Sequence, residues 1–174
     1  MSGAPDSFKT DLLALLPSLR AFAFSLARNR ERADDLVQDT VIRAWEKHAS
    51  FTEGTNMRAW LFTILRNCFY SEIRKRRREV EDVDDAHAAR LPVPALQLAH
   101  IELEEFKAAL GAISAEQREA LILIGVSGFS YEEAAEICGC AVGTVKSRVS
   151  RARTTLAARL ADPDLKETPL LAAQ

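Results

Sequence analysis

The side chains with the plainest chemistry in this sequence are two clusters of cations. Between Ala141 and Leu160 stand Lys146, Arg148, Arg151, Arg153 and Arg159, with no acidic residue among them. Five like charges on one helix repel, which costs stability unless a polyanion offsets it. Thr144, Ser147 and Ser150 add short hydrogen-bonding groups near the start of that stretch, where a recognition helix meets base edges. The second cluster is Arg66 with the run Arg74-Lys75-Arg76-Arg77-Arg78, opposed in that stretch only by Glu72. Five consecutive cations exceed what a helix C-terminus needs to complement its dipole. The neighbouring segment Ser50-Phe51-Thr52-Glu53-Gly54-Thr55-Asn56 offers an aromatic ring at Phe51 and small polar groups at Thr52 and Asn56. Such a loop can receive a base rotated out of the stack while the basic helix holds the backbone. Both clusters point to binding of nucleic acid, and neither to bond-making.

Other chemistries find little support. His48, His87 and His100 are dispersed, with no Ser, Cys or carboxylate partner at suggestive spacing. The glycines at Gly125–Gly128 and Gly139–Gly143 do not match phosphate-cradling loops. Cys138-Gly139-Cys140 has no second Cys or His pair at zinc spacing, and three cysteines make no disulfide framework. The sequence therefore predicts buried thiols, no metal, no cofactor, no small-molecule substrate and no enzymatic activity. The formal net charge is −2, so nucleic-acid binding has to come from local concentration of charge. With no basic and apolar leader at the start and no uninterrupted apolar segment of spanning length, the reading is a cytoplasmic protein without a membrane partner.

The elements that must position these clusters are helices. Phe8, Leu12, Leu15 and Leu16 recur at helical spacing, and Pro17 suits the first turn of a second helix carrying Leu19, Phe22, Ala23 and Leu26. A helix over about 31–48 places Val37, Val41, Ala44, Trp45 and His48 on an apolar stripe opposite Asp35, Gln38, Asp39 and Arg43. After a loop over 49–56, a long helix over 57–78 begins apolar on most sides and ends in the basic run. Composition then turns acidic at 79–85 and carries Pro92 and Pro94, which predicts a linker over 79–99. Beyond it come a helix ended by Gly111, a Ser114-to-Gln117 capping box opening a second helix, a short helix over 131–138 capped by Ser130, and a last helix over 142–160. Ala134 and Ala135 supply a small face, Gly139 suits the turn, and Ile137, Val142 and Val145 close a core. This is a helix-turn-helix pattern. The predicted fold is all-α: helical domains at 8–78 and 100–161, the second a four-helix domain with the helix-turn-helix, an acidic proline-containing linker between them, and a tail at 162–174.

On these residues the chain resembles the extracytoplasmic-function (ECF) sigma factors of bacteria. Asp34-Asp35-Leu36-Val37-Gln38-Asp39-Thr40 with Arg43-Ala44-Trp45 is similar to their polymerase-binding helix, and Arg58-Ala59-Trp60-Leu61-Phe62 with Asn67 to the start of their promoter-melting helix. Tyr131 to Ile137, followed by Gly143 to Arg153, resembles their C-terminal helix-turn-helix. The resemblance covers about 8–78 and 101–160. It implies that Asp35, Gln38, Asp39 and Arg43 dock on the β′ clamp helices of core RNA polymerase, with Trp45 packing rather than contacting. It further implies contact with the β flap of the polymerase. Phe51, Thr52 and Asn56 would capture an unpaired −10 base, with Arg66, Arg74, Lys75, Arg76 and Arg77 on the backbone. Thr144, Lys146, Ser147, Arg148, Ser150, Arg151 and Arg153 would read the −35 element.

The acidic linker and the Asn56-Met57-Arg58-Ala59-Trp60 segment resemble the general-stress-response branch of alphaproteobacteria. In that branch a separate anti-sigma protein masks the factor until a response regulator with a sigma-like domain removes it. Two other readings stay open at this point. One is a sigma-mimic anti-anti-sigma protein, although both basic surfaces are intact. The other is a helix-turn-helix repressor that never meets polymerase, which leaves the Asp34-to-Trp45 helix without a role.

Overall fold

The computed structural model describes residues 5–52, 54–81 and 109–161, with the side chains of 79–81 outside the description. Among these residues every regular element is a helix: α1 Asp6–Ala27, α2 Arg30–Glu46, a 3-10 turn His48–Ser50, α3 Met57–Glu81, α4 Ala115–Gly125, α5 Tyr131–Cys138 and α6 Val142–Ala161. A further helical turn at 109–111 ends at Gly111. Of the expected linker over 79–99, residues 79–81 instead continue α3, and the rest lies outside the described residues, as do the start of the second domain and the tail.

Two expectations fail at α1. It is one helix running straight through Pro17, where two were expected. A proline inside a helix removes the hydrogen bond to the carbonyl four residues back. Here both Pro17 and Leu13, which owns that carbonyl, are exposed, so water can take the bond. The joined helix is also, by length and a mean hydropathy of 1.3 alone, long and apolar enough to cross a bilayer, against the expectation. Its apolar side chains have a nearer use: Phe8, Leu12, Leu19, Phe22, Ala23 and Leu26 are buried in the core.

Asn29 caps α2 by accepting from the Arg32 amide, and Asn56 does the same for α3 through the Ala59 amide. The buried face of α2 is Ala33, Leu36, Val37, Thr40 and Ala44; the Thr40 hydroxyl is satisfied by donating to the Leu36 carbonyl at 2.7 Å. The stripe thus lies one step from the expected one, and Trp45 at its edge is 43 % exposed while its ring touches Phe8 edge-on at 6.4 Å. The central helix is α3, with Leu61, Phe62 and Leu65 fully enclosed. It continues through Glu81, three residues past the basic run.

The second domain keeps its expected punctuation. Ser114 and Ser130 each form a complete capping box, with Gln117 and Glu133 respectively. Gly139 closes α5 at φ 63°, a left-handed conformation that costs glycine nothing. The hydrophobic core is continuous across the two domains: α3 packs against α5 and α1 against α4, so Phe62 and Phe129 belong to one buried cluster.

Candidate nucleic-acid and polymerase interface

The recognition helix is positioned by its buried stripe. Val145, Val149, Ala152 and Leu156 recur at helical spacing and are sunk into the domain, with Ala134, Ala135 and Ile137 of α5 opposite them. This turns Thr144, Lys146, Ser150, Arg151 and Arg153 to solvent and leaves Ser147 and Arg148 half-buried. Lys146 Nζ lies 5.6 Å from the centroid of the Tyr131 ring, and Arg148 Nη1 donates to Cys140 Sγ at 3.7 Å. These contacts hold the two cations near the turn, at the N-terminal end of α6, which is the end that enters a major groove in this motif. Burial pushes the Cys138 thiol up to about 12 and keeps it protonated.

In the first domain, Arg74, Lys75, Arg76 and Arg77 are exposed along the last turns of α3. Arg74 donates to the Ser71 hydroxyl, and Arg76 pairs with Glu72 at 2.7 Å, an acid it shares with Arg32 at 3.3 Å. Exposed pairs of this kind are worth about 0–1 kcal/mol and yield to a phosphate without much loss. Phe51 is half-buried against Trp60 (centroids 5.2 Å apart) and Phe8 (6.1 Å). It walls a cleft of about 620 Å³ together with Phe8, His48, Gly54, Thr55 and Met57. Gly54 takes φ 85° there, and the exposed Thr52 turns its carbonyl to the Thr55 hydroxyl at 2.7 Å.

Arg66 and Asn56 sit differently from the rest of the expected −10 set. Arg66 Nε lies 2.7 Å from Oε1 of the fully buried Glu119 on α4, an ion-pair contact with its guanidinium 4.6 Å over the Tyr70 ring. The Tyr70 hydroxyl donates to the other Glu119 oxygen at 3.2 Å. Burial pushes the Glu119 carboxyl above the usual carboxylate range, against the pull of Arg66, and raises the Tyr70 hydroxyl as well. Asn56 Nδ2 donates to Glu133 Oε1 at 2.8 Å. Between these contacts Arg58 donates to the Ser127 carbonyl and lies 4.6 Å over the Phe129 ring. Sequence reasoning missed Glu119, Tyr70 and Phe129. One signal was available: Glu119 falls on the buried stripe of α4 with Leu123, four residues on, and an acid at a core position needs a partner.

The third surface lies on α2. Asp35, Gln38, Asp39 and Arg43 are all exposed on one side, and the first three border a cleft of about 340 Å³. Ile42 and Trp45, at 55 % and 43 % exposed, extend that side with apolar area. Among the described residues no group of His, Cys, Asp and Glu could hold a metal ion.

A helix-turn-helix domain, a second helical domain with its own basic edge and a mixed-charge helix facing outward define a DNA-binding transcription protein with a protein partner. The family models agree: residues 12–79 match sigma-70 region 2 and residues 103–156 match sigma-70 region 4. The chain is 62 % identical to the ECF RNA polymerase sigma factor EcfG of Rhodopseudomonas palustris, over 89 % of this chain and 86 % of that protein. It is similar to the sigma factor RpoE of Bartonella quintana, solved with the anti-sigma factor NepR, at a TM-score of 0.82 and 55 % identity over 91 % of this chain and 99 % of that one. The PhyRSL–NepR complex of Sphingomonas sp. Fr1 shares the fold at a TM-score of 0.66 and 18 % identity, over 95 % of this chain and 94 % of that one. The chain belongs to the ECF sigma factors of bacterial RNA polymerase.

Proposed function

We propose that this sigma factor binds core RNA polymerase through α2, reads a −35 element with α6 and holds a melted −10 segment with the loop over 50–56 and the basic end of α3. Asp35, Gln38, Asp39 and Arg43 meet the β′ clamp helices, and the second domain meets the β flap. The −35 contacts come from Thr144, Lys146, Ser147, Arg148, Ser150, Arg151 and Arg153. The −10 contacts come from Phe51, Thr52, Asn56, Arg66, Arg74, Lys75, Arg76 and Arg77. The observation that carries this reading is the division of exposed charge: an acid-free recognition helix and a basic helix end on two domains, with a mixed-charge helix ahead of both in the chain. Unpairing DNA costs on the order of 1–2 kcal/mol per base-pair step. A flipped base in the Phe51 cleft and a row of cations offset part of that cost, and polymerase supplies the rest.

The likeness to the NepR-bound RpoE supports control by an anti-sigma protein, while expression of stress-response genes and action in the cytoplasm rest on the sequence resemblance drawn above. The sigma-mimic reading finds less support, since the likeness to the anti-anti-sigma factor PhyR of Bartonella quintana stands at 18 % identity against 62 % for EcfG. Run-off transcription with core polymerase tests the whole reading. The wild-type chain is expected to direct a promoter-specific start, and Arg148→Ala/Arg151→Ala to lose it on a −35-dependent promoter. A wild type that starts nowhere in particular sinks the assignment.

A further inference from the structure

Four side chains expected to serve DNA, or next to those that do, are engaged by the second domain of the same chain. Arg66 faces a carboxylate, Asn56 donates to a carboxylate, and Arg58 with Phe62 encloses an aromatic ring. The ring is Phe129, whose centroid lies 5.0 Å from that of Phe62 at 71°, with the Arg58 guanidinium 4.6 Å away on it and 5.5 Å from Phe62. A guanidinium and an aromatic ring around a planar group is the arrangement by which proteins stack an unpaired base, and a carboxylate on an arginine replaces a phosphate. Phe129, Glu119 and Glu133 therefore reproduce the chemistry of a single strand on the residues that would bind one.

We propose that the Glu119–Phe129–Glu133 face of the second domain is a built-in mimic of single-stranded DNA, and that Arg58, Phe62, Arg66 and Tyr70 become strand-binding residues when that face leaves. The inference rests on the −10 reading above and extends its residue set to Arg58, Phe62 and Tyr70. It follows from exclusion: Arg66 sits on a carboxylate with no solvent access, so it cannot hold a phosphate until the domains part. The recognition helix is outside this contest, because Thr144, Ser150, Arg151 and Arg153 are exposed while the seam is closed. The free chain is thus masked for single strands and unmasked for duplex. Polymerase, by holding the domains apart, removes the mask.

The masking has a size. A binder whose competent state is populated at about 1–10 % shows an affinity about 10–100-fold weaker than its intrinsic one. The experiment measures binding of a fluorescent mixed-sequence single-stranded 12-mer to the full chain by anisotropy, and in parallel the distance between labels on α2 and α6. Glu119→Lys/Glu133→Lys replaces both carboxylates with cations, one against Arg66 and one where Asn56 donates. It is expected to lengthen the interdomain distance and to tighten single-strand binding at least about tenfold. Glu132→Lys/Glu136→Lys makes the same charge change at exposed positions of α5 and should change both readouts far less. Adding Arg58→Ala to the open variant should reverse the gain. If the open variant binds no tighter than wild type, if the charge-matched control gains as much, or if wild type is already open, the mimicry is wrong. Should the seam variant fold poorly, Phe129→Leu offers the same readouts: it keeps apolar volume and removes the ring stacked under Arg58. Failure of wild-type run-off transcription with the single-strand results intact would instead sink the sigma-dependent reading and leave the mask standing.

Discussion

At Gly139 the chain needs φ 63°, and any side chain there would crowd the following carbonyl. Gly139→Ala is expected to cost about 1–2 kcal/mol, read as a drop in the thermal midpoint of the second domain. Ser130→Ala, which removes the cap on the Glu133 amide 3.1 Å away, should cost about 1 kcal/mol and shift duplex binding little, since α6 keeps its own stripe. A result several times larger for Ser130 would mean that the capping box also holds the seam through Glu133. Cys138 offers a chemical test of burial. With its thiol pushed up to about 12, about one molecule in ten thousand is thiolate at pH 8, and the thiolate is the reactive form. Iodoacetamide at pH 8 should leave Cys138 unmodified in the native protein and modify it after denaturation, as peptide mass spectrometry reports. Native-state labelling of Cys138 would contradict the packing of α5 on its neighbours.

Helices in this chain differ in how openly the sequence declares them. Caps and turns are local, so the boundaries of α4, α5 and α6 follow from Ser114, Ser130, Gly139 and the apolar periodicity without any knowledge of the fold. Their consequence is testable for α6. If the helix neutralises about four phosphates, the logarithm of duplex affinity falls with log salt at a slope of about −3.6. Arg148→Ala/Arg151→Ala should bring that slope to about −1.8, two contacts having gone. An unchanged slope would move the phosphate contacts off this helix. Pro17 misled because its usual preference is for a first turn, and what rescues it inside α1 is the solvent around Leu13, which periodicity does not report. Trp45 misled in the opposite direction: spacing put it on the apolar stripe, while the stripe turns through Leu36 and Thr40 and leaves its ring at the edge. The exposed positions of the expected interfaces were legible because they are read against a buried stripe on the same helix. The engagement of Arg66 and Asn56 was not, because their partners Glu119 and Glu133 lie 53 and 77 residues further along the chain and belong to another domain.

For the molecule as a whole, the seam couples domain separation to protons. Glu119 is fully buried when the seam is closed, and its carboxyl titrates above the ordinary range there because burial disfavours the charge more than its neighbours restore it. The groups facing it are Arg66 and Tyr70 on α3, Arg148 on α6 and Cys138 on α5, with Glu116 of its own helix acting on Tyr70. In the open form the carboxyl meets water and returns toward its ordinary value. The closed form therefore binds a proton more readily, and lowering the pH toward the ordinary carboxylate range favours closure; the advantage is lost as pH rises through the raised value. Glu133 works the other way, since the Ser130 backbone and Asn56 lower its carboxyl, but that effect is felt only below the ordinary carboxylate range. Over the interval from neutral pH down to the ordinary carboxylate range Glu119 governs. The interdomain distance of the free chain should shorten over that interval, with single-strand affinity falling in step beyond what a duplex control shows. Glu119→Gln has no such proton to take up, so its distance should stay constant across the same range. A wild type that opens as the pH falls would mean that the Arg66 charge pair, and not the burial of Glu119, dominates the seam.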